Sequence, residues 1–289
     1  MNLKDILEAV SRSRGAAYLK NDPVQFPRRF DIAADREVVA FISASLAYGR
    51  VGIILKNVND LLARMGNHPG EFVRNFDPRQ DSKYLTGFKH RFNDGNDLAC
   101  LFWILRHMLE SDGSIEAYFA RGDNGGPTID GALTSFCSRA KAVDVSPFFP
   151  VGTLPVAAGV RYFFPSPATG SACKRLCMFL RWVTRPDDGI DLGLWSSVAP
   201  SRLVLPLDTH TARISRLIGL SVRRTPDWKM AVEITERLRI LDAADPVRFD
   251  FALAHLGISG GCTGKRGSAC DRCDLEPLCG LRASGCEKG

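Results

Sequence analysis

Cys262, Cys270, Cys273 and Cys279 fall in one short stretch near the C-terminal end, spaced C-x7-C-x2-C-x5-C, and Cys286 follows. Many residues between them are polar or charged, including Thr263, Lys265, Arg266, Asp271 and Arg272. Four thiols in such company have no apolar surroundings in which to pack as inert core. Soft thiolates this close together suit a zinc ion or an iron–sulfur cluster; the bland alternative is four surface thiols. Spacing leaves both metals open. A four-cysteine zinc site more often carries two C-x2-C pairs, and only Cys270 and Cys273 form one here. A single compact loop is more like a [4Fe–4S] cradle. Cys286 sits in a short polar tail and reads as spare.

Something must position that loop. The chain has 289 residues, 45% hydrophobic and 24% charged, enough to bury a substantial core and ordinary for a soluble globular protein. No apolar run reaches the ~20 residues of a membrane span, and the first residues carry scattered charges rather than a signal sequence's apolar stretch. A cytoplasmic protein with no membrane partner is expected, and its nine cysteines are then thiols rather than a disulfide framework. The net charge of +6 is compatible with a polyanionic partner without requiring one.

Apolar residues recur at helical spacing through most of the chain. Helices are expected from Leu3 to Val10, Glu37 to Ala47, Ile53 to Met65, around Leu101–Leu109, Ile129 to Ala142, Cys173 to Val183, Thr209 to Leu217 and Asp227 to Leu241. Asp245-Pro246 reads as an N-cap and first helical residue, opening a helix through Leu256 that stops at Gly257. Val160–Phe164 and Leu203–Leu205 are too short to build a sheet, and Gly-, Pro- and Asp-rich stretches such as Asp77–Ser82 read as loops. The fold class is all-α.

Three segments in order, Leu207-Asp208-Thr209-His210, then Phe251-Ala252-Leu253-Ala254-His255-Leu256-Gly257, then Cys262 to Cys279, resemble the end of endonuclease III, of the helix-hairpin-helix DNA glycosylase superfamily. Those proteins carry a "VDTH" segment, an apolar helix ending "HG" and a C-x6-C-x2-C-x5-C [4Fe–4S] loop; one extra residue separates the first two cysteines here. Phe41-Ile42-Ser43-Ala44-Ser45 is similar to the family's "LLSAQ" helix end, with Ser45 in place of the glutamine. The hairpin signature L-P-G-[VI]-G-x-[KR]-[TS]-A is absent directly before the Asp208 segment. Its nearest counterpart, Ser166 to Lys174, lies further upstream than in endonuclease III, a separation closer to that of archaeal 8-oxoguanine glycosylases. The similarity covers roughly residues 200–280.

The resemblance implies a two-lobed helical fold, with a central domain over 36–200 and an iron–sulfur domain over 1–35 plus 201–289. Double-stranded DNA with a damaged base would bind between the lobes of a monomer associated with the nucleoid. The implied activity is base-excision repair: an N-glycosylase, in its bifunctional form also an abasic-site lyase, acting on a lesion such as 8-oxoguanine. Breaking the glycosidic bond builds positive charge on the sugar, and Asp208, the acidic residue of the matched motif, would stabilise it. It is also a natural N-cap for the helix that follows. Lys174 is the implied nucleophile that would form a Schiff base, against a solvated lysine or a phosphate contact. The cluster ligands would be Cys262, Cys270, Cys273 and Cys279, with zinc as the alternative occupant. Phosphate contacts are expected from the amides of Gly170, Ser171 and Ala172 and from Arg213, Lys265, Arg266 and Arg272. Tyr162, Phe163, Phe164 and Ser45 are candidates for the base pocket, the aromatics also reading as core. A different class of function also fits: a non-catalytic iron–sulfur DNA- or RNA-binding or redox-sensing protein on the same scaffold.

Overall fold

A computed structural model describes residues 2–13, 16–66, 68–259 and 261–281. In chain order the α-helices are α1 (Leu3–Ser13), α2 (Ala33–Ser45), α3 (Val51–Met65), α4 (Pro69–Arg74), α5 (Pro78–Asp81), α6 (Gly95–Asp112), α7 (Ile115–Ala120), α8 (Asp130–Lys141), α9 (Lys174–Thr184), α10 (Thr209–Leu217), α11 (Trp228–Arg239) and α12 (Asp250–Ser259). The strands are β1 (Lys89–His90) and β2 (Asn93–Asp94), paired antiparallel as a minimal hairpin. Among the described residues no helix is long and apolar enough to cross a membrane.

Residues 159–163, too short to build a sheet, form a 3-10 turn. The expected helices are present, with two informative differences. The Asp77–Ser82 loop contains α5, with Asp77 accepting from the Arg79 amide as its N-cap. α12 begins at Asp250, not Asp245, and runs to Ser259, through Gly257. Asp245 does not cap it, because its carboxylate accepts from Arg185 Nε at 2.8 Å. A tertiary ion pair outcompetes the local Asp-Pro signal.

α9 is buried along nearly its whole length. Leu176, Phe179, Leu180 and Val183 give it an apolar face, and the remaining faces are covered as well, so that Arg175 and Arg181 are also buried. It packs on α2, where Phe41 meets Phe179 edge-on at 5.1 Å between ring centroids. Phe163 and Phe164 lie in the same core, each 1% exposed, and Phe164 is 6.0 Å from Phe41. Removing one such ring costs about 3–5 kcal/mol. α10 and α1 both pack on α12, which ties the N-terminal helix to the C-terminal segment. The segment before α10 is anchored by Leu205, whose amide donates to Thr235 Oγ1 on α11 at 3.0 Å.

Candidate active site and thiol pocket

Four elements begin at one place, and each contributes a charged side chain. Lys174 is the first residue of α9, Asp208 the N-cap of α10, Asp250 the first residue of α12, and Asp22 the N-cap of the short 3-10 turn Pro23–Gln25. All four line one small cavity of about 50 Å³. That is room for a water or a reacting group but not for a nucleobase, which would have to lie at its mouth.

Local chemistry orients each group. Asp208 Oδ1 accepts from the amides of His210 (2.9 Å) and Thr211 (2.8 Å), as an N-cap must. Its other oxygen carries no hydrogen bond among the described residues, and the carboxylate is half-buried. Lys174 is half-buried too, with Nζ 3.6 Å from Met178 Sδ one turn along, and it makes no ion pair among the described residues. Asp250 is buried. Its Oδ2 accepts from Arg181 Nη1 at 2.6 Å, whereas Oδ1 is buried without a partner. Burial pushes the Asp250 carboxyl above the usual range against the pull of Arg181 and Lys174, and nearby Asp208 adds to the rise. Behind the cavity Arg181 also forks onto Asp191, from Nε at 3.1 Å and Nη2 at 2.9 Å. Arg185 pairs with Asp191, Asp188 and Asp245. Burial disfavours the Arg181 charge, but its two carboxylates more than offset this and raise its pKa. The network fixes the cavity wall, since breaking one member leaves a buried charge uncompensated.

The thiol loop is held to the body at Leu275, which is buried, and at Gly280, whose amide donates to the Leu217 carbonyl at 2.7 Å. Cys262, Cys270, Cys273 and Cys279 are partly exposed free thiols lining one cavity of about 210 Å³. The Cys273 thiol is pushed up, first by burial and then by the neighbouring Cys262 and Cys279. Among the described residues no three His, Cys, Asp or Glu side chains are gathered tightly enough to grip a metal ion as they stand. The donor set fits a soft metal or cluster by its chemistry, four thiols lining one cavity. Cys286 lies outside the described residues, and the side chain of His255 is not described.

The other expected residues fall into three groups. Ser171 and Ala172 keep free amides among the described residues, whereas the Gly170 amide donates to the Pro167 carbonyl at 2.8 Å and is not available to a phosphate. Lys265, Arg266 and Arg272 are exposed on the thiol loop, Arg266 paired with Glu276 at 3.5 Å. Arg213 turns toward that loop instead of outward. A Cβ at Gly264 would come within 2.8 Å of Arg213 Cδ, so glycine is what allows the approach. Phe163 and Phe164 are core side chains and cannot stack on a base; Tyr162 is 39% exposed and can. Ser45 is buried, and its carbonyl accepts from Arg175 Nη1 at 2.6 Å. Asp22 and Asp250 were not singled out from the sequence, because neither sits in a local pattern that sets it apart.

A family profile described as "protein of unknown function (DUF2400)" matches residues 22–259. That span includes Asp22, Lys174, Asp208 and Asp250 and ends before the thiol loop. No curated protein and no solved structure matches the chain. With most of its length matched, the chain belongs to the DUF2400 family of proteins of unknown function.

Proposed function

We propose that this protein is a DNA N-glycosylase with abasic-site lyase activity that excises a damaged base, an oxidised purine such as 8-oxoguanine being the first candidate. The observation that carries the reading is that Lys174 and Asp208, distant in sequence, line the same cavity. A pocketed amine beside a carboxylate with an open oxygen is what displacement at a sugar carbon requires. Lys174 Nζ, having passed a proton to a carboxylate of the cavity, attacks C1′ while the C1′–N bond breaks, and the base leaves with the bonding electrons and takes up that proton. Asp208 offsets the positive charge that develops on the sugar. After loss of the amine proton and ring opening, Lys174 remains joined to C1′ as a Schiff base.

In this reading the segments 36–200 and 1–35 plus 201–289 flank the DNA cleft. The Ser171 and Ala172 amides, Lys265 and Arg272 contact phosphates. Cys262, Cys270, Cys273 and Cys279 would hold a [4Fe–4S] cluster, or else zinc, and the bound group would stiffen the loop that presents those cations. The four thiols lining one cavity support a thiolate-bound group there.

The test is borohydride trapping on an abasic duplex, together with base release from a panel of lesion duplexes. Wild-type protein is expected to cross-link to the abasic strand, and Lys174→Ala to lose the cross-link. Wild-type protein with a loaded thiol site that neither traps nor releases any base overturns the proposal.

A further inference from the structure

The hairpin β1–β2 ends in a two-residue tip, Arg91-Phe92, with Arg91 in the left-handed region at φ 57°. Phe92 is 53% exposed. A lone exposed ring would mean little, but this one belongs to a cluster drawn from distant segments. Phe92 stacks on Tyr48, from the turn after α2, at 5.4 Å and meets Tyr162 at 4.6 Å; Tyr48 and Tyr162 meet at 4.9 Å. The cluster is locked from behind. Tyr48 Oη donates to Asn93 Oδ1 at 2.5 Å, and the buried His90 ring lies with Nε2 3.0 Å from the Tyr48 carbonyl and Nδ1 2.9 Å from Asn57 Nδ2. Asn93, also buried, donates to Asp97 and to the Gly159 carbonyl. Buried polar groups satisfied this fully hold a surface rigid. Its exposed edge is thus preorganised.

Charge then specifies the partner. The Arg175 guanidinium lies 3.8 Å from the centre of the Tyr162 ring and 5.2 Å from that of Tyr48, bonded to two backbone carbonyls. It is buried, yet among the described residues it has no carboxylate partner. Arg91 at the tip, Lys89 on β1 and Arg50, two residues after Tyr48, are exposed and likewise without ion pairs among the described residues. The Arg91 side chain lies over Gly49, 3.1 Å from where a Cβ would stand, which brings hairpin and turn together. The nearby carboxylates face inward: Asp94 caps α6, and Asp97 bonds Asn93 and the Asp94 amide. Flat rings rimmed by unpaired cations complement a polymer of flat bases and anionic phosphates.

We propose that the Tyr48–Phe92–Tyr162 face is a stacking platform for an unpaired nucleobase of single-stranded DNA, with Arg91, Lys89 and Arg50 on the flanking phosphates. The choice of DNA as the polymer rests on the proposed function, whereas the platform needs no damaged base and no bond breaking. Arg175, which lies over the Tyr162 ring, follows Lys174 directly in α9.

The experiment is binding of an undamaged single-stranded oligonucleotide containing 2-aminopurine, followed by anisotropy and by quenching of the base. Wild-type protein is expected to bind and quench. Phe92→Ala should weaken binding between about 5-fold and 150-fold and abolish the quench, with an unchanged salt slope. Phe92→Trp should restore both, and Arg91→Ala should lower the salt slope by about one. Equal affinity and quench in wild type and Phe92→Ala overturn the platform, as does a wild-type protein that binds an acidic peptide but not the oligonucleotide. Trapping on an abasic duplex, run on the same preparations, separates the two proposals: its failure removes the lysine chemistry and leaves the quenching result standing, and the converse holds.

Discussion

Asp250 and Lys174 face one cavity from the first turns of two different helices, and the Asp250 oxygen that Arg181 does not hold is buried with no partner among the described residues. A carboxylate so placed is better off protonated than its unfolded counterpart, which is why its pKa is raised. The stability it contributes is fully present below the ordinary aspartate range, near pH 4, and is lost as pH rises through the higher folded value. Asp250→Asn has no such titration. Wild type is therefore expected to lose stability relative to the variant as pH rises from about 4, the loss levelling off once the carboxyl is ionised. Each pKa unit between folded and unfolded states shifts it by about 1.4 kcal/mol. Urea unfolding of both proteins over pH 4–8 checks this, and parallel curves would contradict it.

Asp208 has two jobs that one substitution can separate. As an N-cap it accepts from the His210 and Thr211 amides, and asparagine does this about as well. As the proposed charge stabiliser it needs its negative charge. Asp208→Asn is expected to keep stability within about 0.5 kcal/mol while base release falls by about two to four orders of magnitude. Asp208→Ala should lose the same activity and about 1 kcal/mol besides. Thermal unfolding and single-turnover base release together decide it.

How much of this was legible in the sequence depended on whether the signal was local. Asp208-Thr209-His210 announces a capped helix, and α10 runs as expected from Thr209 to Leu217. The stripe Met230, Ile234, Leu238 likewise became the buried face of α11. The Asp245-Pro246 start was misleading because Arg185, sixty residues earlier, takes the Asp245 carboxylate. Phe163 and Phe164 could not be told from surface aromatics, since a 3-10 turn has neither strand nor α-helix period; it buries these two and leaves Tyr162 outside. The platform was invisible for a different reason. Tyr48, Phe92, Tyr162 and Arg175 come from separate segments, and the hairpin carrying Phe92 has only two residues in each strand. Lys174 and Asp208 were named through a resemblance; that they share a cavity is a tertiary fact.

Glu37 offers a stability test away from the site. Its buried carboxylate accepts from the amides of Ile115 (3.0 Å) and Glu116 (2.9 Å), so α2 caps α7, and from Trp195 Nε1 at 2.8 Å. Burial raises its pKa despite these three donors. Glu37→Gln replaces one acceptor oxygen with an amide NH2 group that must face N–H groups, leaving at least one buried donor unpaired. A loss of about 2–3 kcal/mol is expected in urea unfolding, with a change in tryptophan emission. A loss below 0.5 kcal/mol would mean that water replaces the missing acceptor.

The thiol loop supplies the test of what it holds. With few buried side chains of its own beyond Leu275, the loop would gain most of its rigidity from a group bound by its four cysteines, as proposed. Protein purified without oxygen is expected to be coloured and to carry about four irons and four sulfides per chain, whereas the zinc alternative gives about one zinc and no colour. Cys273→Ser should lower that content, because Cys273 lines the cavity with the other three cysteines. Since Arg213 packs on Gly264 and Gly280 bonds Leu217, loosening the loop by chelation should expose the end of α10 without unfolding α9. Hydrogen exchange would then rise at residues 213–218 and stay low at 176–183. Metal-free wild-type protein with full protection at both places would show that the loop folds without a metal.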